Sequence, residues 1–357
     1  MPFDAADLAT VKIQQEHEFL PLRACIIGNP NDNILPPYNE ASRNYVDHFP
    51  ERFQEAIRRM GDRPRRMSEV LPDLAQEVSA GLDRLEQVYR RHGVKVFRTY
   101  EAAPEIINYF GYAQTGYWSF GTADNWKVLG NVLVELAPTD NIRCINPQVF
   151  EYRDLIWRAF ENTAGAVWVS MPPAAPTDPR SSTGRGPFVV GADIKVLDHR
   201  NILVGCGVSS AEAIQHPNQG RSAMNEDGVA VFRALAERLG YRVHQAYYDT
   251  RVSFHMDTIF GLVRQGLVTY PKQAFFVMPD FVTDNFEVLD VPLDECIEGL
   301  SGNSVPINAS TVVVNAHCQQ TIEILQRAGM TVEAVDYAAG ASLGTGPWCS
   351  TCALWRE

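Results

Sequence analysis

Three stretches of this chain repeat one pattern of apolar and polar positions. Leu85–Thr99 reads LEQVYRRHGVKVFRT, Phe232–Ala246 reads FRALAERLGYRVHQA, and Thr321–Ala334 reads TIEILQRAGMTVEA. In each, apolar residues recur at helical spacing, a Gly follows, and a short apolar strand comes next. A Gly just past the last helical turn suits the left-handed backbone that other residues avoid. The repetition predicts one supersecondary module used several times.

The rest of the chain supplies partners for these units. Arg23–Gly28 (RACIIG), Phe188–Val190, Asn201–Gly205 and Thr311–Asn315 read as strands. Trp126–Leu136 reads as two strands meeting in a hairpin at Gly130–Asn131. Ser253–Gly261 and Gly266–Tyr270 read as another strand pair. Asp73–His92 and Phe150–Glu161 read as helices, and Gly220–Leu239 as polar and then helical. Asn29–Arg66 reads as irregular with one short helix, and Ala338–Arg356 as Gly-rich and then a short strand. Pro172–Pro187, dense in Pro, Gly and Ser, reads as a linker or lid. Strand pairs start near Cys25, Val128, Ile202, Ile259 and Val312. The pattern predicts an α/β fold of pseudo-symmetric ββαβ units over 1–357, rather than a doubly wound sheet.

With 357 residues, 45% hydrophobic and 21% charged, the chain can bury a large core. Its net charge of −12 argues against nucleic acid or an anionic membrane as partner and permits a cationic substrate. No apolar run is long enough to span a bilayer, and Met1–Leu20 lacks the apolar core of a signal peptide. The seven scattered Cys read as reduced, which points to a cytoplasmic protein.

Several residues have the chemistry of a site. Cys349 lies in GTGPWCSTCAL (Gly344–Leu354), where glycines let backbone approach a ligand. It reads either as a nucleophilic thiol or as a buried packing Cys. Cys349 and Cys352 form C-x-x-C without a second ligand pair at suitable spacing, so no metal is expected. On a strand, His255 and Asp257 of SFHMDTIF would share a face as an acid/base pair. Asp124 and Asp193 read as ordinary turn residues, and Lys127 as a solvated charge. The Gly-rich runs lack the context of a phosphate loop, so no nucleotide cofactor is expected.

In order, these motifs resemble those of the amidinotransferases within the guanidino-group-modifying, or pentein, superfamily. EFLPLRACIIGNP (Glu18–Pro30), ADNWKVLGNVLVE (Ala123–Glu135), FHMDTIF (Phe254–Phe260) and GTGPWCST (Gly344–Thr351) are similar to family segments, and the likeness spans nearly the whole chain. It implies a five-bladed α/β-propeller around a polar funnel. It also implies Cys349, His255 and Asp124 as catalytic residues, with Asp257, Asp193, Asn303 and Ser304 binding substrate. The implied activity moves an amidino group from a guanidino donor, arginine-like, to an amine acceptor in small-molecule biosynthesis, with no cofactor. A deiminase or dihydrolase, acyl transfer through Cys349, and a non-enzymatic binding relative stay open as alternatives, and a homodimer is compatible with the likeness. Three positions depart from the family: Ala123 replaces an Arg, Val190 an acid that holds the guanidinium, and Trp348 a His.

Overall fold

The computed structural model describes residues 3–35, 37, 38, 46, 49–98, 119–136, 152–171, 187–215 and 224–357. The expected lid at 172–187 falls outside them except for residue 187.

Each predicted helix–Gly–strand stretch is present. Helices Pro72–Arg91, Glu226–Arg238 and Gln319–Arg327 end before Gly93, Gly240 and Gly329, whose φ angles are 76°, 88° and 84°. Strands Lys95–Phe97, Arg242–Asp249 and Thr331–Val335 follow. A fourth copy was not anticipated. Helix Arg153–Glu161 leads through Gly165, at φ 68°, into Val167–Ser170.

Two further strands precede each helix or complete its sheet, so five ββαβ units are present among the described residues. In the second unit, Trp126–Leu129 and Val132–Glu135 pair antiparallel across the predicted Gly130–Asn131 turn, and Val167–Ser170 joins in parallel. The third unit has Ile194–Val196 antiparallel to Asn201–Val208, which pairs in parallel with Arg242–Asp249. An extra edge strand, Phe275–Val277, is added to it. The fourth combines Gly261–Arg264, Leu267–Thr269 and Glu287–Leu289, with helix Asp280–Asn285 between the last two. The fifth combines Val305–Asn308, Thr311–Asn315 and Thr331–Val335.

The first unit is built from distant segments. Leu22–Ile27 pairs in parallel with Lys95–Phe97 and antiparallel with Thr351–Arg356. In every unit the parallel pair is joined through a helix, as a parallel connection requires. These helices bury one stripe: Leu74, Val78, Leu82, Leu85 and Tyr89 of Pro72–Arg91 are all in the core. Gly81 in that helix leaves room for the Tyr337 ring, which a Cβ there would meet at 2.3 Å.

Two expected strands are absent. Phe188–Val190 is unpaired, because the Phe188 amide donates to Asn225 Oδ1 (3.0 Å) and no ladder forms. Ser253–Phe260 is a turn entering strand Gly261–Arg264. The hydroxyls of Ser253 and Thr258 both donate to the His255 carbonyl, at 2.6 and 3.0 Å, and fold the backbone back on itself. His255 is extended, and Asp257 lies in the 3₁₀ turn Met256–Thr258. The two therefore do not share a strand face.

Candidate active site

A short segment stands just before the first hairpin strand of each unit. These segments are Thr122–Asp124, Gly191–Asp193, Met256–Thr258, Ser301–Ser304 and Pro347–Ser350. They carry Asp124, Asp193, Asp257, Asn303 and Cys349, so equivalent places in the repeat hold most of the expected site residues.

The segments touch in cyclic order. The Ala123 amide donates to the Cys349 carbonyl at 2.9 Å. Gly191 packs on the Ala123 carbonyl so tightly that a Cβ would lie 1.9 Å from its oxygen. The Met256 amide donates to Asp193 Oδ1 at 2.7 Å. Asn303 Nδ2 donates to Asp257 Oδ2 at 2.8 Å, and the Cys349 amide donates to Asn303 Oδ1 at 3.0 Å. Because the obstacle to Gly191→Ala is backbone, the substitution should destabilise the fold by at least about 2 kcal/mol. A shift in the urea midpoint measures this, and an unchanged midpoint would contradict the close approach.

At the segments of the fourth, fifth and first units the chemistry converges. The Cys349 Sγ lies 2.9 Å from Asp257 Oδ2, to which it donates, and accepts from Asn303 Nδ2 at 3.1 Å. All three side chains are buried. Burial, then the charges of Asp257 and Asp124, push the Cys349 thiol well above its ordinary range. Asp124 is itself buried beside this cluster, in the turn that hydrogen-bonds to the Cys349 backbone.

The other expected residues are placed as follows. His255 is buried two residues before Asp257, with its ring 4.9 Å from that of Phe254. The Asp193 carboxylate is taken up by protein donors: the amides of Met224 and Met256 and the hydroxyl of Tyr248, at 2.8, 2.7 and 3.1 Å. Burial raises it to about 7. It braces the turn that holds Asp257. Ser304 Oγ donates to the Leu262 carbonyl at 2.8 Å, so its hydroxyl ties two units together. Asn303, expected to bind substrate, lies against the thiol.

Four residues of the site's surroundings were missed. Lys127 is not a solvated charge. It is buried and pairs with Glu18 Oε1 at 2.9 Å. Glu18 Oε2 accepts from Trp348 Nε1 at 3.0 Å. The ammonium of the buried Lys195 lies 3.0 Å from the Trp348 ring centroid, and that of Lys127 lies 4.4 Å from it. Each lysine sits between apolar neighbours in a short strand, WKVL and IKV. A charge inside so short an apolar run was the available signal.

Behind Trp348 lies a cavity of about 20 Å³ lined by Gln15, Glu18, Trp126, Lys127 and Arg356 among others. Among the described residues no group of three or more His, Cys, Asp or Glu is placed to hold a metal, and no helix is long and apolar enough to cross a membrane.

This arrangement of ββαβ units is the pentein-type α/β fold of amidinotransferases, which the chain resembles over nearly its whole length. No family model matches it. The mitochondrial glycine amidinotransferase of Gallus gallus is 22% identical over an alignment of 374 positions, gaps included, that covers 96% of this chain and 82% of that protein. Among solved structures, it is similar to SxtG, an amidinotransferase from Microseira wollei in the saxitoxin biosynthetic pathway. The TM-score is 0.71, with 18% identity and 97% of each chain covered. The inosamine-phosphate amidinotransferase StrB1 from Streptomyces griseus gives a TM-score of 0.70, 19% identity and 97% of each chain. These three are amidinotransferases; the chain is also similar to a hydrolase, a dimethylarginine dimethylaminohydrolase, with a TM-score of 0.57, 13% identity, and 92% of this chain and 98% of that chain covered.

Proposed function

We propose that this chain is a cysteine-dependent amidinotransferase that carries an amidino group from an arginine-like donor to an amine on Cys349. The observation that carries this reading is the hydrogen-bonded set of Cys349, Asp257 and Asn303, assembled from three distant segments on the fold of amidinotransferases. The cyclic contacts of the five turns support a five-bladed arrangement with the site where the turns meet.

A guanidinium is a planar, delocalised cation and a poor electrophile. Asp124 and Asp257 bind its N–H groups and orient the central carbon. Bringing that cation beside the thiol offsets the two carboxylates and lowers the cost of ionisation. The S–H bond breaks with its proton passing to Asp257 Oδ2, 2.9 Å away, and the Sγ attacks the central carbon. The C–N bond to the donor's amine breaks as protonated His255 gives its proton to the leaving nitrogen. In the second half, His255 takes a proton from the incoming amine, which attacks the same carbon and expels the thiolate. Asn303 holds the sulfur in place through both halves. Asp193 and Ser304 fix the turns rather than touch substrate.

Incubation with arginine followed by acid trapping should raise the intact mass by one amidino group, mapped to Cys349. An adduct of another mass would move the reading to acyl transfer. Ornithine that forms only when an amine is added supports transfer, whereas citrulline or ammonia without an amine would replace it by hydrolysis.

A further inference from the structure

We propose that the cavity behind Trp348 is a binding site for one buried water molecule, which joins the segment around Gln15, the second unit and the closing strand. The inference is independent of the reading of Cys349 and adds a site to which that reading gives no part. The cavity measures about 20 Å³, and Gln15, Trp126 and Arg356 line it. All three residues are buried. Each carries a polar atom with no hydrogen-bond partner among the described residues: Gln15 Oε1, Trp126 Nε1 and Arg356 Nε. A buried polar atom without a partner is costly, and folded proteins satisfy nearly all of them. Three such atoms on residues around one cavity point to a shared guest.

The backbone brings these residues together. The Gln14 amide donates to the Leu354 carbonyl at 3.0 Å, and the Arg356 amide donates to the Gln14 carbonyl at 2.7 Å. Gln15 is thereby fastened beside the closing strand. Its own amide and carbonyl pair with Gly130, at 2.7 and 2.8 Å, in the turn of the hairpin that begins at Trp126. Gln15 Nε2 donates to the Val128 carbonyl at 3.3 Å, two residues along the strand from Trp126. That bond fixes the side-chain amide: nitrogen faces Val128, and the oxygen is left to accept elsewhere. Arg356 Nη1 donates to the carbonyls of Leu20 and Pro306, both at 2.8 Å, which anchors the guanidinium and leaves Nε to another acceptor.

The three atoms set the chemistry of the guest. Trp126 Nε1 and Arg356 Nε only donate, whereas Gln15 Oε1 only accepts. The guest must accept two hydrogen bonds and donate one, as water does. A halide would leave the Gln15 oxygen without a donor, and a bare cation would face two N–H groups. The charges of Glu18 and Lys127, which also line the cavity, are paired with each other at 2.9 Å. One water needs roughly 10–15 Å³ and about two to four polar partners. The cavity has room for one and offers it three.

Two measurements on the full chain test this. A crystal structure of the ligand-free protein should show a density peak in reach of all three atoms, at about 2.7–3.2 Å. No peak, or one that reaches fewer than all three, overturns the proposal. Crystals soaked in sodium bromide should give no anomalous peak in the cavity; bromide there would make it an anion site and overturn the water. In solution, the Trp126 indole proton is identified by loss of its signal in Trp126→Phe. It should show cross-peaks to water of opposite sign in the laboratory and rotating frames, the mark of a held molecule. Equal signs mean proton exchange with solvent alone, and these or a missing cross-peak overturn the proposal. Should Trp126→Phe not fold, the crystal structure decides. Neither measurement needs a donor, so failure of the transferase reading shows separately, as absence of the trapped amidino adduct.

Discussion

Cys349→Ala should lower turnover of any amidino donor by roughly four to six orders of magnitude, as loss of a covalent nucleophile does. Secondary structure by circular dichroism should be retained, because the Cys349 amide, which donates to Asn303 Oδ1, and its carbonyl, which accepts from the Ala123 amide, keep their partners. The side chain gives up one hydrogen bond to Asp257 and one from Asn303. Leaving that buried pair with each other as partners limits the destabilisation. The same cluster fixes a pH dependence. Burial and the two carboxylates raise the thiol, so the thiolate fraction of the ligand-free protein at pH 7 is smaller than for free cysteine and grows as pH rises. Alkylation at pH 7 should therefore be at least roughly ten times slower than that of free cysteine. Full activity in Cys349→Ala would remove covalent catalysis from consideration.

Glu18→Gln is expected to cost about 3–5 kcal/mol of stability, the range for breaking a buried ion pair by removing one partner. Glu18 joins four segments: its carboxylate accepts from Lys127, Trp348 and the Val196 amide, at 2.9, 3.0 and 2.9 Å, and its own amide donates to Val196. Without it, the buried Lys127 ammonium loses its ion-pair partner and the Trp348 indole its acceptor. Burial alone would raise this carboxyl, but Lys127, Lys195 and the Val196 amide outweigh it and hold it below the ordinary value of 4.5. A lowered carboxyl contributes stability that is present above the unfolded-state value and is lost as pH falls through the folded one. The advantage over Glu18→Gln should therefore hold at pH 7 and shrink below about 4.5. Denaturant midpoints of the two proteins at pH 7 and pH 4 measure both parts. Coincident midpoints at pH 7 would refute the claim that the pair holds these segments together.

The repeat was legible wherever a helix ended close to its glycine. It was missed at Gly165, four residues beyond the end of Arg153–Glu161, and in the fourth unit, whose helix is only Asp280–Asn285. Short helices leave too few turns for periodicity to register. At the site, Cys349, Asp257 and Asn303 were nameable from motif order, but alternation misread His255 and Asp257. Two hydroxyls two residues before and three after His255 bend the chain there, and binary pattern does not encode that bend. Lys127 and Lys195 were overlooked because sequence alone does not tell a buried ammonium from a solvated one. What separates them is an indole and a carboxylate brought in from Trp348 and Glu18, far away along the chain.

The pairing of Leu22–Ile27 with Thr351–Arg356 sets an order of events during synthesis. By the time a ribosome has released Asn303, the acids, the imidazole and the amide of the proposed site have all been made, yet none has a sulfur to hold. On the proposed mechanism the nascent chain has no nucleophile until Cys349 is made and Thr351–Arg356 pairs with Leu22–Ile27. The proposed nucleophile and the strand that completes this sheet then arrive together.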